Sequence, residues 1–344
     1  MLPSFRSRKD RLKPYMEKQL KDTLFVELPV DALTDEADLS FMKGVPLPIK
    51  KEDLADISGA GISTVKLADN IAVVVGSDTQ FRYAAQYIRF LNRLFDAKLI
   101  KVFSGKAGEA FKVGNYRLAM AYLRAGMCFR DDDRDAMFAY AGGCRYWYLA
   151  LEGSEEDTEL IKILKSEASE YYEHLTDAYP EFAPGWYYLG YVYLNEGQYL
   201  KAQLAWKKYL ANADRDDTEQ TAPITEIEQR VEELTDPVKI EQGASLLQSG
   251  RLEEGLAVLE PYLNTEYSKW WPLHFYLASA YRELGHEKEA VEGFLNVLRL
   301  SPSNTDAMDA LTALYEALGE PEKAEKYRKK AEIVRGGTGD TPRQ

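Results

Sequence analysis

Cysteine and histidine are scarce in this chain, and long apolar runs are absent. Only Cys128 and Cys144 occur in 344 residues, with no Cys-x2-Cys pair, so neither a disulfide framework nor a thiolate zinc site is expected. His174, His274 and His286 are the only histidines; none stands at a metal-ligand spacing from another histidine or a cysteine, so no metal site is expected. Gly-x4-Gly-Lys-Ser/Thr and Gly-x-Ser-x-Gly do not occur, and no Gly-x-Gly-x2-Gly lies between a strand and a helix. No catalytic residue and no cofactor are therefore expected, and acid clusters such as Asp131, Asp132 and Asp133 read as solvated turns. Positive charge is in deficit: 43 Lys and Arg face 56 Asp and Glu, a formal net charge of -13, which argues against nucleic acid or an anionic membrane as partner. No stretch approaches the roughly 18 apolar residues that a membrane span needs, and the start MLPSFRSRKDRLK has no apolar run of a secretion signal. The expectation is a cytoplasmic protein with reduced thiols and a protein partner.

What is present is a periodic pattern. In APGWYYLGYVYLNEGQYLKAQLAWKKYL, residues 183–210, Trp186, Leu189, Gly190 and Tyr193 share one helical face, and Ala202, Trp206 and Tyr209 share a face of a second helix after Gly197. Gly190 and Ala202 are small enough for the two backbones to approach closely. Neither helix buries its stripe alone, so copies are needed beside it. They are there: Leu277 and Leu311, Tyr281 and Tyr315, Gly285 and Gly319, and Ala290 and Ala324 are each 34 residues apart.

This pattern resembles the tetratricopeptide repeat family, Trp-x2-Leu-Gly-x2-Tyr followed by Ala-x3-Phe and Pro. Trp186-x2-Leu189-Gly190-x2-Tyr193 with Ala202-x3-Trp206 carries it, as does His274-x2-Leu277-Ala278-x2-Tyr281 with Ala290-x3-Phe294 and Pro302. A weaker copy begins near Pro237, and degenerate copies cover residues 100 to 130 and the region of Gly143, Tyr146, Ala168 and Tyr172. The resemblance covers roughly residues 100–335 and implies a mainly α fold, a right-handed α-solenoid of about six TPR-like helix pairs.

Residues 1–21 read as a basic N-terminal helix with Leu12, Tyr15, Met16 and Leu20 on one side. Two readings stand: a solvated helix face, or a basic tag that meets an acidic surface, possibly the chain's own repeats. Residues 22–76 read as a small α/β cap: a strand over Thr23–Val30, a proline-rich edge at Val45–Ile49, and a β-hairpin pairing Ser63–Leu67 with Ile71–Gly76. Ser77 and Gln80 form a capping box for a helix through Phe95, and Thr225 with Glu228 a second one for an added helix to Leu234. Residues 77–336 are the helical solenoid and 337–344 a flexible tail.

In the family that this chain resembles, the first helix of each pair lines an inner wall on which partner peptides lie. The matching positions are Tyr140, Cys144, Tyr148, Tyr187, Tyr191, Asn195 and Phe275, with Ile240, Ala244, Ser279, Asp309 and Ala313 as smaller neighbours. A tyrosine-rich wall suits a peptide, because rings bury against it while hydroxyls hydrogen bond; the same rings also suit packing between helices. The Lys, Asn and Arg set that family members use for a chaperone's terminal carboxylate is missing, apart from Asn195. The expected function is a non-enzymatic scaffold or adaptor for a protein or peptide, of undetermined oligomeric state. One alternative is a small-ligand sensor or enzyme with its site where the N-terminal α/β unit meets the first repeat. Another is self-association through Val73–Val75 on a hairpin edge.

Overall fold

A computed structural model describes residues 4–27, 40–53, 63–153 and 157–337. The chain forms two compact units, one of residues 1–196 with 205–214 and one of residues 197–204 with 215–344. The expected mainly α fold is observed, with TPR-like helix pairs and a small N-terminal α/β cap.

Unit 1 begins with residues 4–12, which have no regular structure, and a single helical turn, α1 (Lys13–Met16), continued as a 3-10 turn over Glu17–Leu20. Strands β1 (Thr23–Val26) and β2 (Leu47–Lys50) pair antiparallel, with Thr23 opposite Lys50 and Val26 opposite Leu47. A two-stranded ribbon has only edges, which is why Pro48 is tolerated opposite Phe25. Residues 28–30 of the expected first strand lie outside the described residues.

The hairpin expected over residues 63–76 is not formed. Those residues make helix α2 (Thr64–Ser77), capped by Ser63, whose side chain accepts from Lys66 N. Leu67, Ala68, Ile71, Ala72, Val74 and Val75 are all wholly buried. A segment buried on every side loses the periodicity that separates helix from strand, and packing overrides the strand preference of Val and Ile. Val73–Val75 therefore offer no exposed sheet edge for self-association. Ser77 ends this helix instead of opening the next: α3 (Ala84–Phe95) begins seven residues later, and Asp78 Oδ1 accepts from Gln80 N in the intervening turn.

Antiparallel pairs follow: α4 (Leu99–Lys112) with α5 (Tyr116–Phe129), α6 (Arg134–Leu151) with α7 (Thr158–Ala178), and α8 (Ala183–Asn195) with the unit 1 part of α9 (Tyr199–Asn212). The residues inserted into the second pair lengthen both of its helices, to 18 and 21 residues; the acidic run at Glu155 and Glu156 lies outside the described residues. One core runs through the unit from Phe5 to Ala205.

Unit 2 contains α10 (Thr221–Glu233), α11 (Thr235–Gln248) paired with α12 (Leu252–Leu259), α13 (Trp271–Glu283) with α14 (Glu287–Leu300), and α15 (Thr305–Ala317) with α16 (Pro321–Gly337). The added helix α10 starts four residues before the expected cap, and Thr225 Oγ1 bonds within it to Thr221 O. The expected tail beyond Gly337 lies outside the described residues.

The turn inside a pair is built the same way in both units. Gly114, Gly197, Gly250, Gly285 and Gly319 all have φ between 72° and 80°, the left-handed region in which a Cβ is strained, and each stands two residues after the last residue of its first helix.

Candidate functional site

The basic N-terminal segment is not a solvated face. It lies against α5, α6 and α7 in unit 1, as the tag reading anticipated. Phe5 packs edge-on against Tyr140 and Tyr171, at ring-centroid distances of 5.2 and 6.0 Å, and its N–H donates to Asp131 Oδ2 at 2.7 Å. Arg8 lies over the Tyr171 ring and donates to Tyr171 Oη at 2.8 Å and Glu170 Oε2 at 2.7 Å. Arg11 donates to Glu167 Oε1 at 2.7 Å and to Ser166 Oγ at 3.0 Å. Asp10 accepts from Thr79 Oγ1 at 3.1 Å and pairs with Arg124, which also donates through Nε to Gly76 O at 2.6 Å. Lys13 Nζ closes the series on Asp78 Oδ2 at 2.8 Å.

Burial makes these contacts unequal. The Asp10 and Arg124 side chains are 7% and 2% exposed, whereas those of Arg11 and Glu170 are 32% and 31% exposed. The first pair is a desolvated lock; the second is a rim contact of modest worth. Burial by itself would lower the pKa of Arg8, but Glu167, Tyr171 and Glu170 outweigh it and hold the guanidinium charged. Arg124 is held charged in the same way, mainly by Asp10.

This arrangement corrects the expected open wall at three positions. Tyr140, Cys144 and Tyr148 are buried. Tyr140 is covered by Phe5 and Tyr171, with its hydroxyl donating to Glu167 Oε2 at 2.9 Å. Cys144 packs inside the core, where burial holds its thiol well above the usual range, and the Tyr148 hydroxyl hydrogen bonds to Asn195. Tyr187 and Tyr191 are half-buried and Asn195 is exposed. The two rings pack edge-on at 5.2 Å, Tyr187 meets Tyr209 at 5.2 Å, and Tyr191 meets Trp206 at 5.1 Å. Arg145, which the repeat pattern did not single out, stands over the rings of Tyr188 and Tyr191.

In unit 2 a cleft opens beside the first helices α11 and α13, at whose floor Ile240 and Ala244 are 4% and 6% exposed. It has a volume of about 860 Å3 and is lined by Ile240 and Ala244 of α11, by Tyr267 and Trp270 of the loop before α13, by Tyr276 of α13 and by Tyr199. Trp270 is 40% exposed, although a ring of that size is usually covered. Neighbouring contacts hold the rim: His274 Nε2 is 2.7 Å from Ser268 O, Tyr262 packs edge-on against Tyr267, and Tyr262 Oη donates to Asp236 Oδ1 at 3.0 Å. Glu241, also in the lining, accepts from Leu200 N at 2.7 Å. Phe275 is half-buried against Phe294 and Trp271, beside this cleft in sequence but not part of its lining. Ile240 and Ala244 were legible from the repeat spacing; Tyr267 and Trp270 were not, because they precede the helix that the pattern marks. The doublet Trp270–Trp271 was the one signal, two large rings at a loop end.

Among the described residues there is no group of three or more His, Cys, Asp or Glu placed to hold a metal ion, and no helix is long and apolar enough to cross a membrane.

Comparison with known proteins gives a family for part of the chain. Residues 171–204 match the model of the tetratricopeptide repeat. Among solved structures, MamA aligns with 54% of this chain and 96% of its own at 18% identity and a TM-score of 0.30. A form of MamA from Desulfovibrio magneticus RS-1 that begins at its residue 41 aligns with 71% of this chain and 99% of its own at 12% identity and a TM-score of 0.27. YrrB, described as a TPR protein with an unusual peptide-binding site, aligns with 62% of this chain and 92% of its own at 16% identity and a TM-score of 0.30. At these scores no residue role or activity is carried over from them. No curated protein matches the chain. Residues 171–204, from the last turns of α7 through α8 into α9, match a tetratricopeptide repeat, so the family is assigned to that segment.

Proposed function

We propose that the chain is a non-enzymatic interaction scaffold that binds a segment of another protein in the cleft beside the first helices of unit 2. The observation that carries this reading is the aromatic cleft itself: Tyr199, Tyr267, Trp270 and Tyr276 surround the small wall positions Ile240 and Ala244. Rings of this kind supply most of the binding free energy in protein interfaces. In unit 2 Phe275 extends the wall beside the cleft; in unit 1, taken by itself, Tyr187, Tyr191 and Asn195 are the proposed peptide-facing positions.

The test is affinity capture from native cytosol with the wild-type chain and with Trp270→Ala/Tyr276→Ala. Loss of specifically captured proteins with an unchanged helical CD spectrum is expected; identical capture would reject the cleft. Tested separately, the Tyr187→Ala/Tyr191→Ala chain is expected to weaken any segment bound on the wall of unit 1 by about 1 kcal/mol or more.

A second reading has one observation in its favour. A cleft of about 400 Å3 in unit 1 is lined by Gln19, Asp22, Lys50, Lys51, Glu52 and Asn70, next to the two-stranded ribbon. Asn70 is 5% exposed, and its Nδ2 has no hydrogen-bond partner among the described residues. A small polar metabolite there would act as a sensed ligand, and would raise the unfolding temperature of the wild type but not of Asn70→Ala.

A further inference from the structure

We propose that the surface formed by α5, α6 and α7 is itself a binding site, of which residues 4–11 are the resident and exchangeable occupant. It fits a protein segment carrying an aromatic residue followed by arginine at +3, an acid at +5 and arginine at +6. The proposal concerns unit 1 and goes beyond the cleft of unit 2, so either can fail while the other stands.

The manner of attachment is that of a bound peptide. Residues 4–12 join no helix or sheet, and apart from bonds within the segment and to the turn that follows it their partners are 69 to 163 positions away in the chain. The segment is held by anchors at Phe5, Arg8, Asp10 and Arg11, while Gln80 Nε2 reaches the carbonyls of Arg6 and Arg8 at 3.4 and 3.2 Å. Segments recognised in this way derive affinity from an aromatic anchor in a pocket and specificity from charge placed at fixed positions.

Each position of the pattern has a separate cause. Phe5 fills the space between the edges of Tyr140 and Tyr171. The two arginines meet Glu167 and Glu170, so an acidic or neutral residue in either place would leave those carboxylates without a counter-charge. The acid between them is the selective element. With the segment in place Arg124 is 1% exposed, and a departing Asp10 would leave its guanidinium without a counter-charge unless the incoming segment brings an acid to the same place. Polybasic segments are thereby excluded although the surrounding surface is acidic.

The contacts also say where exchange starts. Arg11 and Glu170 are each about a third exposed, so opening begins at this rim. Leu12 and Met16, 1% and 0% exposed, keep the following turn in the core, and the one bond that release of residues 4–11 takes from α1 is Lys13 N–H to Asp10 Oδ1 at 3.1 Å.

The experiment uses the full-length chain and a fluorescent peptide of residues 4–13, read by anisotropy. Phe5→Ala/Arg8→Ala, which weakens the resident segment, is expected to bind the peptide at least tenfold more tightly than the wild type. Adding Glu167→Gln/Glu170→Gln to that chain is expected to abolish the gain, and a peptide carrying Asp10→Asn is expected to bind at least tenfold more weakly. Equal binding by wild type and variant would overturn the proposal, as would an Asp10→Asn peptide that binds like the parent. Loss of the helical CD spectrum in Phe5→Ala/Arg8→Ala would also overturn it, by making the segment a fixed part of the core. A dimer of that variant that takes up no peptide would identify a second copy as the occupant and overturn the partner assigned here.

Discussion

At the scale of single residues, two contacts make strong demands. A Cβ on Gly190 would lie 2.1 Å from Trp206 Nε1, and Trp206 is wholly buried with its Nε1–H donating to Tyr187 O at 3.1 Å. Gly190→Ala must therefore displace the indole, and a loss of roughly 1–3 kcal/mol is expected as a lower urea midpoint. The second contact is the buried Asp10–Arg124 pair. Asp10→Ala leaves a desolvated cation, with an expected loss of roughly 3–5 kcal/mol, whereas Arg11→Ala at the exposed rim is expected to change stability by no more than about 1 kcal/mol. A common cost for the two variants would show that burial does not separate them. The cysteines supply a third check: burial pushes the Cys128 thiol up to about 12 and the Cys144 thiol well above its ordinary value. Thiolate is thus scarce at pH 8, and native protein is expected to resist alkylation that the denatured chain undergoes at both sites.

At the scale of elements, the parts of the fold readable in advance were those with a local period. Trp186, Leu189, Gly190 and Tyr193 announce α8 because each contact partner lies on the same or the next helix, and the glycine turns recur at a fixed place in each copy. Gly285→Ala is expected to cost about 1 kcal/mol through its positive φ alone, with no cavity or lost contact to add to it. Helix α2 escaped this logic. Its Ile71–Val75 run is β-branched and buried all round, so neither composition nor period distinguished it from a strand. The docking of Phe5, Arg8 and Asp10 was legible only as complementary charge, since nothing local encodes a partner more than 60 residues away. The cleft was half legible: Ile240 and Ala244 follow from the repeat, and Tyr267 and Trp270 sit in a loop outside it.

At the scale of the whole molecule, a chain of net charge -13 holds its most basic segment against its own acids and leaves an aromatic cleft open in unit 2. In the function proposed above, this cleft is where a partner chain rests. Hydrogen exchange, followed with and without a captured partner, tests it most directly. Slowed exchange in residues 235–248 and 265–277 is expected on binding. Protection elsewhere, with those two stretches unchanged, would contradict it.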